Sequence, residues 1–330
     1  MQKIEVVMMK GFLLLTLACI LRSEAAVVRS VDLPLVNDNP IIGILSQENS
    51  VIYTGFPDDS YTSYIAASYV KSVEAAGARV VPIMIGQPRT YYEGLMKKIN
   101  GALFPGGGAS FTASNGYAAA AQNIYEIAMQ MNDEGDYFPI WGTCLGFQLL
   151  VTLASGRQNR DLCLAYNVNL PLEFIDDYRN SKMFKEVPED IADLLANEEL
   201  TVNAHFFCIF DENLKAYNLT QDWKATSYST DILGVRFIAS IEHNRYPFYG
   251  IQFHPEKTTY EWKKLISKFD AHSLEAIKAN RHFMDFFVKE SRKSKHTFAG
   301  EVEENDYLIY NHQPSFTWKM GAPFQQCYLF

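Results

Sequence analysis

Short, wholly apolar runs alternate with stretches of helical period through the first half of this sequence. Pro40 to Leu45 is an unbroken apolar run of strand length, the pattern of a strand buried on both faces. From Tyr61, the spacing of Ile65, Tyr69, Val70, Val73 and Ala76 predicts a helix closed by Gly77. Arg79 to Ile85 reads as a second strand, and Pro82 assigns it to an edge or a bulge because proline donates no ladder hydrogen bond. Thr90 and Glu93 form a capping-box pattern at the head of a short helix through Leu95 and Ile99. Gly101 to Phe104 is a third strand, Ala118, Ala121, Tyr125 and Ala128 mark the next helix, and Phe138 to Trp141 a fourth strand. Leu145 to Ser155 then reads as a helix ended by Gly156. Strands and helices in strict alternation predict a parallel sheet covered on both faces.

The second half is less regular. Residues 168–174 and 200–205 read as strands, with a short helix over 191–197 between them, and 157–231 as a whole resists division. Leu233 to Ile241 and Phe248 to Phe253 are strands around a His243–Pro247 turn. Leu274, Ile277, Phe283, Met284, Phe287 and Val288 lie on one side of a last helix. From about residue 293 a tail mixes Glu301, Glu303, Glu304 and Asp306 with aromatics and is expected to pack along the body.

The first residues belong to a different kind of segment. Lys3 and Lys10 precede an apolar run from Gly11 to Leu21, followed by small residues suited to cleavage after Ala25 or Ala26, the layout of a secretory signal. The run is shorter than the ~20 residues of a spanning helix. The expected organisation is therefore a signal peptide over 1–25 and one α/β domain over 26–330. Losing Lys3, Lys10 and Arg22 with Glu5 and Glu24 takes the formal charge from −9 to −10. That acidity, with no basic stripe beyond Arg292-Lys293-Ser294-Lys295, excludes a nucleic-acid partner. Cleavage also removes Cys19, and with Cys144 kept free the remaining Cys163, Cys208 and Cys327 allow at most one internal bridge. Asn218-Leu219-Thr220 is a glycosylation sequon in a polar stretch.

Candidate chemistry centres on Cys144, at the turn from strand to helix and flanked by Gly142 and Gly146. This is the cysteine counterpart of a nucleophile elbow, with the sulfur at the positive end of a helix. His254 closes an apolar strand before Pro255, and Glu256 follows two residues on. In an extended segment those side chains share a face, so the carboxylate can orient the imidazole as base to the thiol. At the end of the third strand, Pro105-Gly106-Gly107-Gly108 brings backbone close to a substrate, and the N–H groups of Gly107 and Leu145 make a candidate oxyanion hole. The same glycines lack the Gly-Lys-Ser/Thr ending of a phosphate loop. His205, beside Asn203 on a strand, reads as structural from its local sequence, the other five histidines as non-catalytic, and Asp58-Asp59 and Asp176-Asp177 as solvated turns. No His-Glu-x-x-His or Cys-x-x-Cys occurs, so neither a catalytic metal nor another cofactor is expected.

Long blocks carry a resemblance beyond these motifs: residues 40–45, 64–71, 76–82, 141–147, 252–257 and 324–328. With Cys144, His254 and Glu256, they make the chain similar to the γ-glutamyl hydrolases (peptidase family C26) of the class I glutamine amidotransferase superfamily. The resemblance implies a three-layer α/β sandwich with a central, mostly parallel sheet, of flavodoxin-like type. It implies hydrolysis of folylpoly-γ-glutamates and antifolate polyglutamates through a Cys144 thioester, in lysosomes or after secretion, by a homodimer without a membrane anchor. It also promotes His205 and Tyr69 to the substrate site. Gln148 departs from the resembled pattern, in which Glu is frequent. A glutaminase that releases ammonia from glutamine and a non-catalytic binding protein on the same fold are the competing readings.

Overall fold

The computed structural model describes residues 36–49, 61–262 and 272–330, and Asn37–Phe330 forms one unit. The signal-peptide expectation and the lead-in to residue 35 lie outside the described residues. In chain order the elements are β1 (Ile41–Leu45), β2 (Gln47–Glu48), β3 (Ser63–Ala66), α1 (Ala67–Ala75), β4 (Arg79–Ile83), α2 (Arg89–Met96), β5 (Ala102–Phe104), α3 (Tyr117–Asp133) and β6 (Ile140–Thr143). They continue with α4 (Leu145–Ser155), β7 (Asp161–Leu170), β8 (Glu173–Phe174), α5 (Glu189–Asn197), β9 (Thr201–Cys208), α6 (Asp211–Ala216), β10 (Trp223–Thr230) and β11 (Arg236–His243). Last come β12 (Phe248–Ile251), α7 (Pro255–Tyr260), α8 (Leu274–Ser291), α9 (Glu301–Tyr307) and β13 (Cys327–Leu329).

The main sheet has eight strands in the order β4-β1-β5-β6-β12-β11-β10-β8. The run from β4 to β12 is parallel throughout, and β11, β10 and β8 extend it antiparallel. Alternation along the strands sorts the core into two halves. Ile41, Leu45, Ala102, Phe104 and Ile140 pack on one face with residues of α2, α3 and α4; Ile42, Ile44, Leu103 and Trp141 pack on the other with α1, α5 and α8. Each buried strand thus supplies apolar side chains to both faces, which is why its sequence shows no polar alternation. The result is the three-layer, mostly parallel α/β sandwich expected above.

A separate two-stranded antiparallel sheet, β7–β9, is bridged by a Cys163–Cys208 disulfide, leaving Cys144 and Cys327 free among the described residues. Joining cysteines 45 residues apart removes unfolded-chain entropy equivalent to about 4 kcal/mol. The tail packs back on the body: Glu303 and Glu304 of α9 pair with Lys98 and Arg79, and β13 joins β3.

The structure corrects the sequence reading at several points. Residues 63–66 are a strand, not the first turn of a helix, because they pair with Gln47–Glu48 on one side and the C-terminal Cys327–Leu329 on the other. Thr90 lies inside α2, whose N-cap is Pro88 with no side-chain cap, so no capping box forms; Glu93 pairs with Arg89 instead. Strand β10 was not anticipated, and β11 begins at Arg236, after a turn in which Asp231 accepts from the N–H groups of Leu233 and Val235. Pro82 does sit on an edge strand, and α4 begins and ends where its spacing predicts, with Gly156 left-handed at φ 72°.

Candidate active site

Three neighbouring parallel strands, β5, β6 and β12, deliver the residues of one site from their C-terminal ends. Ligand sites of open α/β sheets lie outside this edge. β6 leads into Cys144, which adopts φ 51° and ψ −104° as the N-cap of α4. A non-glycine residue rarely takes positive φ, and here the turn is enforced from both sides. A Cβ on Gly142 would lie 2.6 Å from the Gly146 carbonyl oxygen, and one on Gly146 would lie 1.9 Å from that of Phe104. The Cys144 N–H donates to the Ile251 carbonyl at 2.7 Å, tying the elbow to β12. Cys144 is 6% exposed.

β12 ends just before His254, the N-cap of α7, with Pro255 and Glu256 in the first turn. Both side chains are buried, and His254 Nδ1 lies 2.7 Å from Glu256 Oε1. The pair was expected on one face of an extended segment; it forms across a helix N-terminus instead. Proline at the first helical position starts that helix, and a carboxylate in the first turn suits its dipole. The N–H of His254 donates to the Val202 carbonyl, which fixes the turn against β9. With Nδ1 taken by Glu256, Nε2 is left for Cys144, whose charge acts on the ring. Burial pulls the imidazole pKa down, but the charges of Glu256 and Cys144 outweigh it and raise it to about 9. Glu256 responds in the opposite sense: burial pushes its pKa up, and His254 brings it below the ordinary carboxylate value.

Gly106 lies at the centre of this group. A Cβ there would approach His254 Cε1 at 2.7 Å, Tyr69 Oη at 2.8 Å and Cys144 Cβ at 3.0 Å. Its N–H donates to Tyr69 Oη at 2.8 Å, and that hydroxyl lies 3.3 Å from His254 Nδ1. Burial, then the charges of Glu256 and Cys144, hold the Tyr69 phenol well above its ordinary pKa, so it stays protonated. At Gly107, the next residue, the Cβ position is filled by Gln47 Oε1. Gln47 donates to the Pro105 carbonyl, which also accepts from Tyr117 Oη, so the glycine turn is clamped. Among the described residues the N–H groups of Gly107 and Leu145 have no acceptor, and Leu145, first in α4, is one of the donors that a helix leaves unpaired.

His205 is placed beside this group but is differently occupied. Its Nε2 lies 3.0 Å from Asn203 Oδ1, and its Nδ1 lies 3.5 and 3.6 Å from the sulfurs of Cys163 and Cys208. Those three residues have the ligand types of a metal site, but the sulfurs are bonded to each other, so they are not available as thiolates. Burial, with the charge of His254 added, drops the His205 pKa to about 3 and keeps the ring neutral. The other free cysteine, Cys327, has a thiol that burial pushes up to about 12, which makes it inert. Asn218 is exposed, with φ 57°, at the head of a short 3-10 turn.

Sequence reasoning missed Gln47 and the central place of Gly106, and it left Gln148 without partners. Gln148 follows Cys144 by one helical turn; its Nε2 donates to Phe207 O and Gln252 Oε1, while its Oε1 accepts from Arg160 at 2.7 Å. None of these long-range contacts has a local signal. Two clefts of the described residues, of about 480 Å³ (around Tyr125 and Trp223) and about 530 Å³ (around Lys182 and His282), are lined by other residues than Cys144, His254 and Glu256.

Comparison with known proteins adds a family to this geometry. The peptidase C26 family model matches residues 40–256. A gamma-glutamyl hydrolase of Rattus norvegicus is 41% identical over 297 residues, covering 88% of this chain and 89% of its own. That of Homo sapiens is 41% identical over 298 residues, with the same two coverages. Gamma-glutamyl hydrolase 1 of Arabidopsis thaliana is 31% identical over 313 residues, or 93% of this chain and 87% of its own. Among solved structures, a glutamine amidotransferase of Thermotoga maritima reaches a TM-score of 0.43 at 12% identity, over 77% of this chain and 98% of its own. The fold described above rests on the sheet topology of this chain alone.

Proposed function

The chain belongs to the peptidase C26 family, and we propose that it hydrolyses the γ-glutamyl amide bonds of folylpoly-γ-glutamates and antifolate polyglutamates with Cys144 as nucleophile. The observation that carries this reading is the buried His254–Glu256 pair brought beside Cys144 at adjoining strand ends, with His254 and Cys144 both against Gly106. In the proposed reaction, Cys144 Sγ attacks the γ-carbonyl carbon and its proton resides on His254. The C–S bond forms as the carbonyl becomes an oxyanion, held by the N–H groups of Leu145 and Gly107. Collapse of the adduct breaks the C–N bond, His254 gives its proton to the departing amine, and a γ-glutamyl or folyl-γ-glutamyl thioester remains. Water, deprotonated by His254, then cleaves the thioester to release the free γ-carboxyl product and restore Cys144. Glu256 holds the His254 tautomer that both steps use. Tyr69 braces the Gly106 turn against His254, and His205, whose nitrogens are already engaged, contributes to the substrate site as a neutral wall beside His254.

The reading extends to location and assembly. A disulfide and an exposed Asn218 sequon support passage through an oxidising, glycosylating compartment, and with the leader sequence they point to a lysosomal or secreted enzyme. Among the described residues no helix is long and apolar enough to cross a membrane. Homodimerisation is carried on the family resemblance, and the mass of the protein in solution tests it. The activity is tested by incubating the purified protein with a folyl-γ-polyglutamate and, separately, with glutamine. Polyglutamate cleavage is expected. Glutamine cleavage without it would replace this reading with the glutaminase. Cys144→Ala is expected to abolish turnover with an unchanged circular dichroism spectrum; turnover retained in that variant would put the nucleophile elsewhere.

A further inference from the structure

Arg160 lies in the turn between α4 and β7 and is half-buried. Among the described residues six other arginines pair with a carboxylate, as Arg236 does with Glu173, while Arg292 donates to the carbonyls of Asn37 and Gly77 and Arg157 lies over Tyr217. Arg160, among the described residues, pairs with none. Its guanidinium carbon lies 4.5 Å from the ring centroid of Phe111 and 4.8 Å from that of Phe207. Nη1 donates to Gln148 Oε1, and Gln148 cannot turn over without giving up its two donor contacts. The group is therefore held in one orientation, with Nε and Nη2 still to be used. Burial pulls its pKa down and Cys144 pushes it up, which places the two within electrostatic reach.

A preorganised, partly desolvated guanidinium without a counter-ion matches a planar carboxylate. The substrate class proposed above offers one: every γ-linked glutamate carries a free α-carboxylate, separated from its γ-carbonyl carbon by Cα, Cβ and Cγ. We infer that Arg160, held by Phe111, Phe207 and Gln148, binds an α-carboxylate adjoining the scissile γ-amide and selects for it. This inference rests on the γ-glutamyl hydrolase reading. It also gives the uncharged Gln148 a consequence, because a carboxylate at that position would pair with Arg160 and neutralise it.

The test compares a pteroyl-γ-glutamate chain with two analogues, one bearing an α-carboxamide on the acyl side of the scissile bond and one on the leaving side. The wild type should prefer the carboxylate substrate over one analogue by roughly tenfold to hundredfold in kcat/KM, the range of a charge-assisted pair. In Arg160→Met that preference should fall toward one, and Arg160→Lys should restore part of it. Gln148→Glu, which keeps Arg160 and its packing, should lower it as well. A wild type that cleaves both analogues as well as the parent chain, or a preference that survives in Arg160→Met and Gln148→Glu, would overturn the inference. Calorimetric binding of the same three ligands to Cys144→Ala and to Cys144→Ala with Arg160→Met is read alongside. If the wild type cleaves no γ-glutamyl bond, the functional reading fails. Carboxylate-selective binding lost with Arg160 would then still support this site, and unselective binding would overturn it too.

Discussion

Replacing Glu256 by Gln isolates the force that sets the protonation of the site. The carboxylate lies 2.7 Å from His254 Nδ1, and both side chains are buried. The rise of His254 from 6.5 to about 9 corresponds to ~3 kcal/mol in favour of the imidazolium. Because the folded pKa is raised, this contribution to stability is complete below pH 6.5 and is lost as pH rises through about 9. Gln keeps the shape and removes the charge, so burial, the largest single influence on the ring, is then opposed by Cys144 alone and the pKa falls. Histidine-selective NMR should show His254 titrating near 9 in the wild type and well below that in Glu256→Gln. The alkaline limb of kcat/KM should shift with it, and the rate at neutral pH should drop by roughly 10²–10⁴-fold. A folded variant whose His254 still titrates near 9 would refute the argument, because the charge of Glu256 would then not be what raises it.

His205 gives the opposite pH dependence. Its folded pKa of about 3 lies below the unfolded 6.5, so its contribution is present above pH 6.5 and is lost as pH falls toward 3. About 2 kcal/mol should be gone at pH 5. Urea midpoints should fall between pH 7 and pH 5, and His205→Gln should flatten that change; an equal slope in the variant would contradict it. At the elbow, Gly146→Ala sets a methyl group against the Phe104 carbonyl oxygen. It should cost more than about 3 kcal/mol or prevent folding, read from the thermal midpoint and soluble yield, whereas a change under 1 kcal/mol would mean that the strand and helix can move apart.

What can be read from the sequence follows from how local each constraint is. The Cys144 elbow is legible because its strand, its flanking glycines and the helix ending at Gly156 are contiguous. His254 and Glu256 are legible by residue type, but their geometry is not: the extended-strand argument gives the right pair for the wrong reason, since Pro255 starts a helix instead of merely ending a strand. Strand β3 is hidden because its apolar residues continue the spacing of α1, and only its partner strands, one of them at the far end of the chain, decide otherwise. β10 is hidden because register shifts between Ala225, Ser227 and Tyr228 break its alternation.

The site itself follows the same division. Strand order puts β5, β6 and β12 side by side, and this adjacency alone brings residues 106, 144 and 254 within contact of one another. Periodicity predicts that such strands exist, but the order in which they pair is set by packing on both faces of the sheet. Tyr69, Gln47 and Arg160 acquire their meaning only after that order is fixed. Tyr69 reaches Gly106 from the opposite core layer, Gln47 closes over Gly107, and Arg160 meets Gln148 one turn below the nucleophile. A chain can therefore display its nucleophile openly while the residues that hold and select a substrate stay silent in the sequence, because their roles are properties of neighbours drawn from other strands.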